Sequence, residues 1–223
     1  MLITKNDLQN WMGLTFDSAI DDHVDMVLEA AQEVVAEMAG DGEFKRNFEG
    51  GDSATTKYYS GNDALTLPVD DIRVIDAVTL DGIALTENAD YYALPMNDAV
   101  KTHLQLVQPE TLIRSSSRAQ VSIPRVWEKA QRNVVVTGKF GYSADDEDCP
   151  KAVKIAILKV ASGMLRQNIG DSTLKVITSE NLGDYSVSYA DAQKVADDLG
   201  VGGYLAPFTR KAIAKPGAGV RTV

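Results

Sequence analysis

Residues 150–165 read PKAVKIAILKVASGML, and this stretch decides how the rest of the chain has to fold. Pro150 suits the first turn of a helix, where its missing N–H has no partner to lose. We therefore predict a helix over about 151–168. Its apolar residues cover most of the circumference instead of one stripe, so the helix must be covered on several sides. The sequence leaves two sources of cover open, namely a β layer of the same chain and neighbouring copies of the chain.

The sequence predicts helices on both sides of this segment. A short helix is expected over 4–11 and a longer one over 18–39. In the longer helix the apolar residues recur at steps of three and four, which indicates a single buried stripe. Downstream, an extended piece at 185–189 is expected to precede a short helix over 190–199.

The region between the long helices, residues 57–142, is predicted to form short β-strands, because short apolar segments alternate there with turn residues. The sharpest signal is Asp81-Gly82 between two strand-like segments, because a two-residue hairpin turn needs positive φ at its centre. The serine-rich stretch from Arg114 to Arg118 is predicted to be a loop. We therefore predict an α+β fold: a small helical bundle with an inserted antiparallel β region and an extended C-terminal tail. The predicted parts are the N-terminal helices (1–56), the β region (57–148), the C-terminal helices (149–203) and the tail (204–223).

The charge of the chain is large and uneven. Its 223 residues include 22 basic and 32 acidic side chains, which gives a formal net charge of −10. This balance argues against a conventional DNA-binding surface, where clustered Lys and Arg neutralise phosphates. From Leu205 onward there are four basic residues and no acidic one, so the rest of the chain has 18 basic against 32 acidic residues. An acidic body with a basic end suits self-assembly or docking onto an acidic partner.

The sequence offers no motif for catalysis, metal binding or membrane insertion. Cys149 is the single cysteine, and the acids at 145–148 oppose formation of its thiolate. His23 and His103 lack the spacing of a metal site, so we expect them to be solvated or hydrogen-bonded. No nucleophile elbow or phosphate loop is present, and no apolar run approaches the roughly 18 residues of a membrane helix. We therefore expect no catalytic residue, no cofactor, no metal and no membrane contact.

A series of weaker signals resembles, in its order along the chain, the head-to-tail adaptor (connector) proteins of tailed bacteriophages. The signals lie within residues 4–200 and are Tyr58-Tyr59-Ser60-Gly61, Leu67-Pro68-Val69, Leu80-Asp81-Gly82, Val134 to Gly138, Gly141-Tyr142, the Pro150 helix and Leu182-Gly183-Asp184-Tyr185-Ser186-Val187-Ser188-Tyr189.

This resemblance implies a non-enzymatic protein of the virion neck that is made in the host cytoplasm. About a dozen copies would form a ring that docks on the portal protein and extends the DNA channel. The ring would receive the next neck or tail protein, which is a stopper, a tail tube or a tail terminator. Double-stranded DNA would pass through the lumen without specific binding, and an acidic lumen would repel its phosphates.

The resemblance also implies two sets of contact residues. The 18–39 and 151–168 helices would line contacts between copies, and the second would use Val153, Ile157, Val160 and Met164. The C-terminal segment would extend into the portal. Its apolar anchors and basic guides would be Tyr204, Leu205, Phe208, Arg210, Lys211, Ile213, Lys215 and Arg221.

Two other functions stay open from the sequence. The first is another neck or tail-completion protein, such as a stopper or a tail terminator, which would be richer in strands and would lack the two long helices. The second is a small hydrolase or carbohydrate-binding module that uses the β region. The second is disfavoured because no catalytic triad, metal motif or carboxylate pair stands out.

Overall fold

The computed structural model describes residues 2–16, 18–49, 51–107, 113–116, 119–122, 126–144, 148–169 and 189–210. Its architecture is α+β, which confirms the predicted class. Helices from both ends of the chain pack around one apolar core. The strands between them form an antiparallel sheet that has a second apolar core of its own.

The helical layer contains five α-helices within the described residues. They are α1 (Lys5–Met12), α2 (Asp21–Met38), α3 (Lys151–Ile169), α4 (Tyr189–Asp198) and α5 (Gly202–Leu205).

Local hydrogen bonds explain where α1 begins and ends. The Thr4 hydroxyl accepts a hydrogen bond from the Asp7 N–H at 3.3 Å, and the Asp7 carboxylate accepts one from the Thr4 N–H at 2.8 Å. This capping box satisfies two N–H groups that the first turn leaves without helical partners. The Thr4 hydroxyl also donates to the Asp7 carboxylate at 2.6 Å, and this bond, together with the one from the Thr4 N–H, holds the pKa of Asp7 below its ordinary value. Gly13 ends the helix in the left-handed conformation, with φ 66°.

The helix α2 follows the predicted amphipathic pattern. A 3₁₀ turn over Ser18–Ile20 leads into it, so the predicted span of 18–39 is close to the observed one. One stripe of the helix faces the core. The buried side chains of this stripe are Val24, Val27, Leu28, Ala31, Val34 and Val35.

The central helix α3 is covered by other helices of its own chain. Its main neighbour is α2, and α1, α4 and α5 close further sides. The helix α4 approaches closely at Gly163, where an added Cβ would collide with Val195. The cover on the buried side chains of α3 therefore comes from helices of the same chain, and not from its β layer. The α3 side chains at most 2% exposed are Val153, Ala156, Ile157, Val160, Ala161, Met164 and Leu165.

The main sheet has six strands, which are β1 (Thr55–Tyr59), β2 (Thr66–Leu80), β3 (Ile83–Leu85), β4 (Tyr91–Leu94), β5 (Lys101–Leu106) and β8 (Val134–Phe140). Their order is β1-β8-β2-β5-β4, and β3 pairs with one end of β2. All of these pairings are antiparallel. A separate hairpin consists of β6 (Ile113–Ser116) and β7 (Ala119–Ser122).

The long strand β2 organises the sheet. It runs for 15 residues, which is longer than the short strands that the sequence predicted for this region. Its first part pairs with β5 and its second part with β8, and the register shifts between Pro68 and Ile72. Asp71 lies inside this irregular segment and is only 1% exposed. An acidic side chain is thereby buried where the strand changes partners.

Two local features help to define the β region. The turn between β2 and β3 has φ values of 49° at Asp81 and 78° at Gly82, and this confirms the predicted hairpin. Trp127 is fully buried in the core of the sheet. Its indole N–H donates to the carbonyl of Leu104 at 3.0 Å, so the one polar atom of the side chain is satisfied.

Three local predictions differ from the structure. Residues 114–116 lie in β6, because cross-strand pairing with β7 outweighs their loop-like composition. Tyr189 begins α4 and is not extended, while residues 185–188 lie outside the described part of the chain. Residues 204–208 belong to α5 and to a 3₁₀ turn over Ala206–Phe208, and are not an extended tail. Burial of Leu205 in the bundle core explains this third difference.

Gly138 of β8 provides a test of the sheet. An added Cβ there would collide with the backbone carbonyl oxygen of Val74, which the neighbouring strand holds in place. We expect Gly138→Ala to lower the free energy of unfolding by about 2 kcal/mol. The control is Gly51→Ala, where a Cβ meets no described atom within 4 Å. Chemical denaturation measures both variants, and equal stabilities would contradict the crowding at Gly138.

Candidate functional site

One buried arginine joins the end of the chain to both layers. The Arg210 guanidinium donates to the carboxylates of Asp41 at 3.1 Å and Asp71 at 3.0 Å. Its Nη2 also donates to the carbonyl oxygens of Val69 at 2.7 Å and Thr102 at 3.3 Å. These partners belong to the loop after α2, to β2 and to β5. A single side chain therefore connects three separate elements.

Asp71 collects hydrogen bonds from several directions. Its Oδ1 accepts from Arg210 and lies 3.4 Å from Nη1 of Arg46. Its Oδ2 accepts from the Asn47 N–H at 3.0 Å, and its backbone carbonyl accepts from the Gly141 N–H at 2.7 Å. The register shift of β2 places Asp71 outside the regular ladder, so these groups bond to other elements. Asp71 is thus the acceptor at the centre of the site.

An aromatic cluster surrounds the second arginine of the site. The Arg46 guanidinium lies over the ring of Tyr142, at 4.7 Å from its centroid. The Tyr142 ring packs on Phe48 and Phe208, with centroid distances of 5.5 and 6.0 Å. The loop after α2, the segment after β8 and the C-terminal 3₁₀ turn therefore meet around one tyrosine.

Asp41 fixes the loop that follows α2. Its Oδ1 accepts from the N–H groups of Glu43 at 3.0 Å and Phe44 at 2.8 Å, which folds the loop into an Asx turn. The Arg210 guanidinium lies 5.1 Å from the centroid of the Phe44 ring. Burial alone would raise the pKa of Asp41. The Phe44 hydrogen bond and the positive charge of Arg210 outweigh this effect and hold the pKa below the ordinary value of 3.8.

We call Asp41, Arg46, Asp71 and Arg210 the charged junction. Its side chains are between 0% and 9% exposed, and its two positive and two negative charges balance. Burial raises the pKa of Asp71 and lowers that of Arg46, while the opposite charges nearby resist both shifts. Buried ion pairs add little net stability, although breaking one is costly. We interpret the charged junction as a device that fixes the orientation of the bundle relative to the sheet.

A buried histidine lies beside the charged junction. The His103 Nδ1 and the Thr102 hydroxyl oxygen are 2.8 Å apart, and both residues are at most 6% exposed. Burial and the positive charge of Arg210 lower the pKa of His103, which favours the neutral imidazole. The described contacts of His103 include no carboxylate hydrogen bond that would orient the ring as in a catalytic triad. The Thr102 hydroxyl therefore provides a hydrogen-bond partner for Nδ1 of a histidine that is buried in β5.

Two clefts flank Arg46. The first encloses about 370 Å³ between α2 and residues 46–49, and the second encloses about 430 Å³ between the loop at 95–100 and residues 207–209. Within the described part of the chain, no three His, Cys, Asp or Glu side chains are grouped to hold a metal ion. None of the described helices has the length and apolar character needed to cross a membrane.

The structure divides the predicted portal-binding residues into two groups. Leu205 and Arg210 are 1% and 3% exposed and hold this chain's own core and charged junction together, so they are not free to contact a portal in this conformation. Phe208 is half-buried. Tyr204 is 38% exposed and lies under the Lys159 ammonium at 4.7 Å. The residues outside the described part of the chain are Lys211, Ile213, Lys215 and Arg221.

The predicted contact residues between copies all point into the bundle core. They are at most 2% exposed, so in this conformation their side chains are not available for contact with a neighbouring copy. A helix buried within one chain and a helix buried between chains produce the same apolar pattern, which explains the difference from the expectation. The four residues are Val153, Ile157, Val160 and Met164.

Comparison with known proteins adds one structural similarity. No protein-family model matches the chain, and no curated protein matches it. The chain is similar to a solved structure described as the neck of an empty GTA particle computed with C6 symmetry. The sequence identity is 12%, the TM-score is 0.48, and the similarity covers 96% of this chain and 92% of that chain. At this level the similarity decides neither the family nor the function of the chain.

The charged junction predicts a large effect of removing its central cation. We expect Arg210→Gln to lower the free energy of unfolding by about 3 kcal/mol, because it leaves buried carboxylates without their partner. Arg166→Gln removes an exposed arginine and is expected to change stability by less than about 0.5 kcal/mol. Urea denaturation of both variants tests the difference. A loss no larger for Arg210 than for Arg166 would contradict the assigned role.

The lowered pKa of Asp41 predicts an acid-dependent contribution to stability. The folded state favours the ionised carboxylate, so the contribution is present above the ordinary pKa of 3.8 and is lost as the pH falls through the folded value. We expect Asp41→Asn to be less stable than the wild type at neutral pH, with the difference shrinking below about pH 4. Thermal unfolding across pH checks this, with the exposed Asp76→Asn as control. A stability difference between Asp41→Asn and the wild type that does not change with pH would contradict this role of the Asp41 carboxylate.

Proposed function

We propose that this chain is a structural head-to-tail adaptor of a tailed bacteriophage. The observation that carries the proposal is a bundle assembled from both ends of the chain, with an antiparallel sheet inserted between its helices. This is the architecture that the resemblance to adaptors implies. In this proposal the protein acts in the virion neck, without enzymatic activity, as a ring of about a dozen copies.

The charged junction supports a mechanical role. A ring component has to keep its layers in one orientation while neighbouring proteins and DNA act on it. Tilting the sheet against the bundle would separate Arg210 from Asp41 and Asp71, and buried charges without partners cost several kcal/mol. The junction therefore resists a change of angle that the two apolar cores alone would tolerate.

We assign portal docking to the residues after Arg210. Residues 211–223 carry three basic side chains and no acidic one, and Ile213 supplies an apolar anchor. The Arg210 N–H donates to the Ala39 carbonyl at 2.8 Å, so this segment starts from a fixed point beside the charged junction. A short basic segment with an apolar anchor suits an acidic surface of the portal protein.

The acidic body supports passage of DNA without specific binding. The part of the chain before Leu205 has 18 basic and 32 acidic residues, so a ring of such bodies carries a large negative charge. Phosphates would be repelled instead of being gripped, which keeps double-stranded DNA free to slide. The ring would receive a stopper, a tail tube or a tail terminator as its next partner.

Two alternatives have less support. A stopper or a tail terminator would lack the two long helices, whereas α2 and α3 have 18 and 19 residues. A hydrolase would need an accessible nucleophile with an oriented base. The pair formed by Thr102 and His103 is instead buried beside Arg210.

Truncation after Arg210 tests the docking segment. Deleting residues 211–223 is expected to weaken binding to purified portal protein at least about tenfold, because it removes three of the cations and the apolar anchor. The free energy of unfolding should stay unchanged, since Arg210 and Leu205 remain. Sedimentation with the portal and urea denaturation measure the two effects.

The matched control separates docking from folding. Deleting residues 210–223 removes Arg210 as well, and should destabilise the chain in addition to weakening docking. Normal portal binding by the chain that ends at Arg210 would show that the docking segment is wrongly assigned.

A further inference from the structure

The outer face of α2 carries an uninterrupted acidic stripe. We define the acidic stripe as Asp22, Asp25, Glu29 and Glu33, which lie opposite the buried stripe and are all exposed. The helix contains no Lys or Arg at all. Met26 lies between these acids and is 46% exposed, so the face also offers an apolar contact.

Most of the acidic stripe has no partner within the described part of the chain. Glu33 bonds to the Lys45 ammonium at 2.6 Å, at one end of the stripe. No ion pair within the described residues involves Asp22, Asp25 or Glu29. Like charges four residues apart on a helix destabilise it by a few tenths of a kcal/mol. The stripe therefore carries a local cost that an external cationic surface would relieve.

The outer face of α3 has the opposite charge. We define the basic stripe as Lys151, Lys159 and Arg166, which are spaced by eight and seven residues on the side away from the core. Lys151 and Arg166 are exposed, Lys159 is partly exposed, and α3 contains no Asp or Glu. The partly exposed Ile155 lies between Lys151 and Lys159 on the same side. The basic stripe thus has cations around an apolar residue, just as the acidic stripe has carboxylates around Met26.

The two stripes lie on different sides of the bundle and can overlap over most of their lengths. The acidic stripe runs from Asp22 to Glu33, about 17 Å along α2, and the basic stripe runs from Lys151 to Arg166, about 23 Å along α3. The buried faces of α2 and α3 share one core, so the outer faces point away from it in different directions. One copy therefore cannot satisfy its own stripes. A twofold contact, which uses the same patch on both copies, cannot bring both pairs of stripes together either.

We propose that the acidic stripe of one copy packs against the basic stripe of the next copy. This inference rests on the proposed ring and identifies the surface through which its members meet. A contact between two different surfaces of the same chain is head-to-tail, and it closes into a ring when the rotation allows. Met26 and Ile155 supply apolar contact between the charges. The occupant of the acidic stripe is a second copy and not nucleic acid, because phosphates are repelled by carboxylates.

Charge reversal tests this contact in the full chain. The first variant carries Asp22→Lys, Asp25→Lys and Glu29→Lys, which changes the charge of the acidic stripe from −4 to +2. The second carries Lys151→Glu, Lys159→Glu and Arg166→Glu, which changes the charge of the basic stripe from +3 to −3. Each variant places like charges on both faces of the contact, so we expect the association constant between copies to fall about tenfold or more. Sedimentation velocity over a range of protein concentrations measures it. Wild-type association should also weaken as the ionic strength rises from about 0.05 to about 0.5 M.

Mixing the two variants provides the decisive test of the contact. Copies with two basic faces and copies with two acidic faces should assemble alternately, so the mixture should recover most of the wild-type association. Controls with the same charge change away from the stripes are Asp76→Lys, Glu87→Lys and Asp98→Lys for the first variant, and Lys129→Glu, Arg132→Glu and Lys194→Glu for the second, all at exposed positions. These controls should assemble as the wild type does. If either reversed variant assembles normally, or if the mixture fails to recover, the contact is overturned.

Portal binding distinguishes this inference from the proposed function. A reversed variant should still bind the portal through residues 211–223, but its copies should occupy the binding sites of the portal independently of one another. Wild-type copies should fill it cooperatively. Equal cooperativity in the wild type and the reversed variants would overturn the contact between the acidic and the basic stripe, and would leave the adaptor proposal standing. A wild-type chain that neither associates nor binds the portal would overturn both.

Discussion

The buried contact between Arg210 and Asp71 is the constraint on which the rest of the architecture depends. The bundle and the sheet have separate apolar cores, and apolar burial is not directional. Burial therefore stabilises each layer without setting the angle between them. The hydrogen bonds of Arg210 to β2, β5 and the loop after α2 are directional, and they leave one arrangement in which every buried charge has a partner.

Much of the fold was predictable because its signals are local. The steps of three and four in α2, the Asp81-Gly82 turn and Pro150 at the start of α3 each act within a few residues. The continuity of β2 was not predictable, because Pro68 normally interrupts a central strand. In the structure Pro68 lies where β2 pairs with β5 alone, since pairing with β8 begins at Ile72. Only the strand order, which is a long-range property, reveals that position.

The site was not predictable for the same reason. Arg210 lies 139 residues from Asp71, in a segment whose Pro, Gly and basic residues are typical of a solvated end. The sequence did contain one usable signal, because Asp71 interrupts an apolar strand directly before Ile72. Its neighbour Asp70 has a side chain that is 35% exposed, whereas that of Asp71 is fully buried. A single sequence does not indicate which of two adjacent acids is buried, or which cation pairs with it.

The position of Arg210 also links the proposed contacts to one another. Arg210 and Lys211 are adjacent, yet the first is locked into the charged junction and the second begins the segment assigned to the portal. A load on that segment would reach β2 and the end of α2 through the hydrogen bonds of Arg210 before it reached either apolar core. The acidic stripe begins near the opposite end of α2. In the proposed ring, docking and contact between copies would therefore act on one rigid helix, which gives the four buried charges of the charged junction a mechanical role.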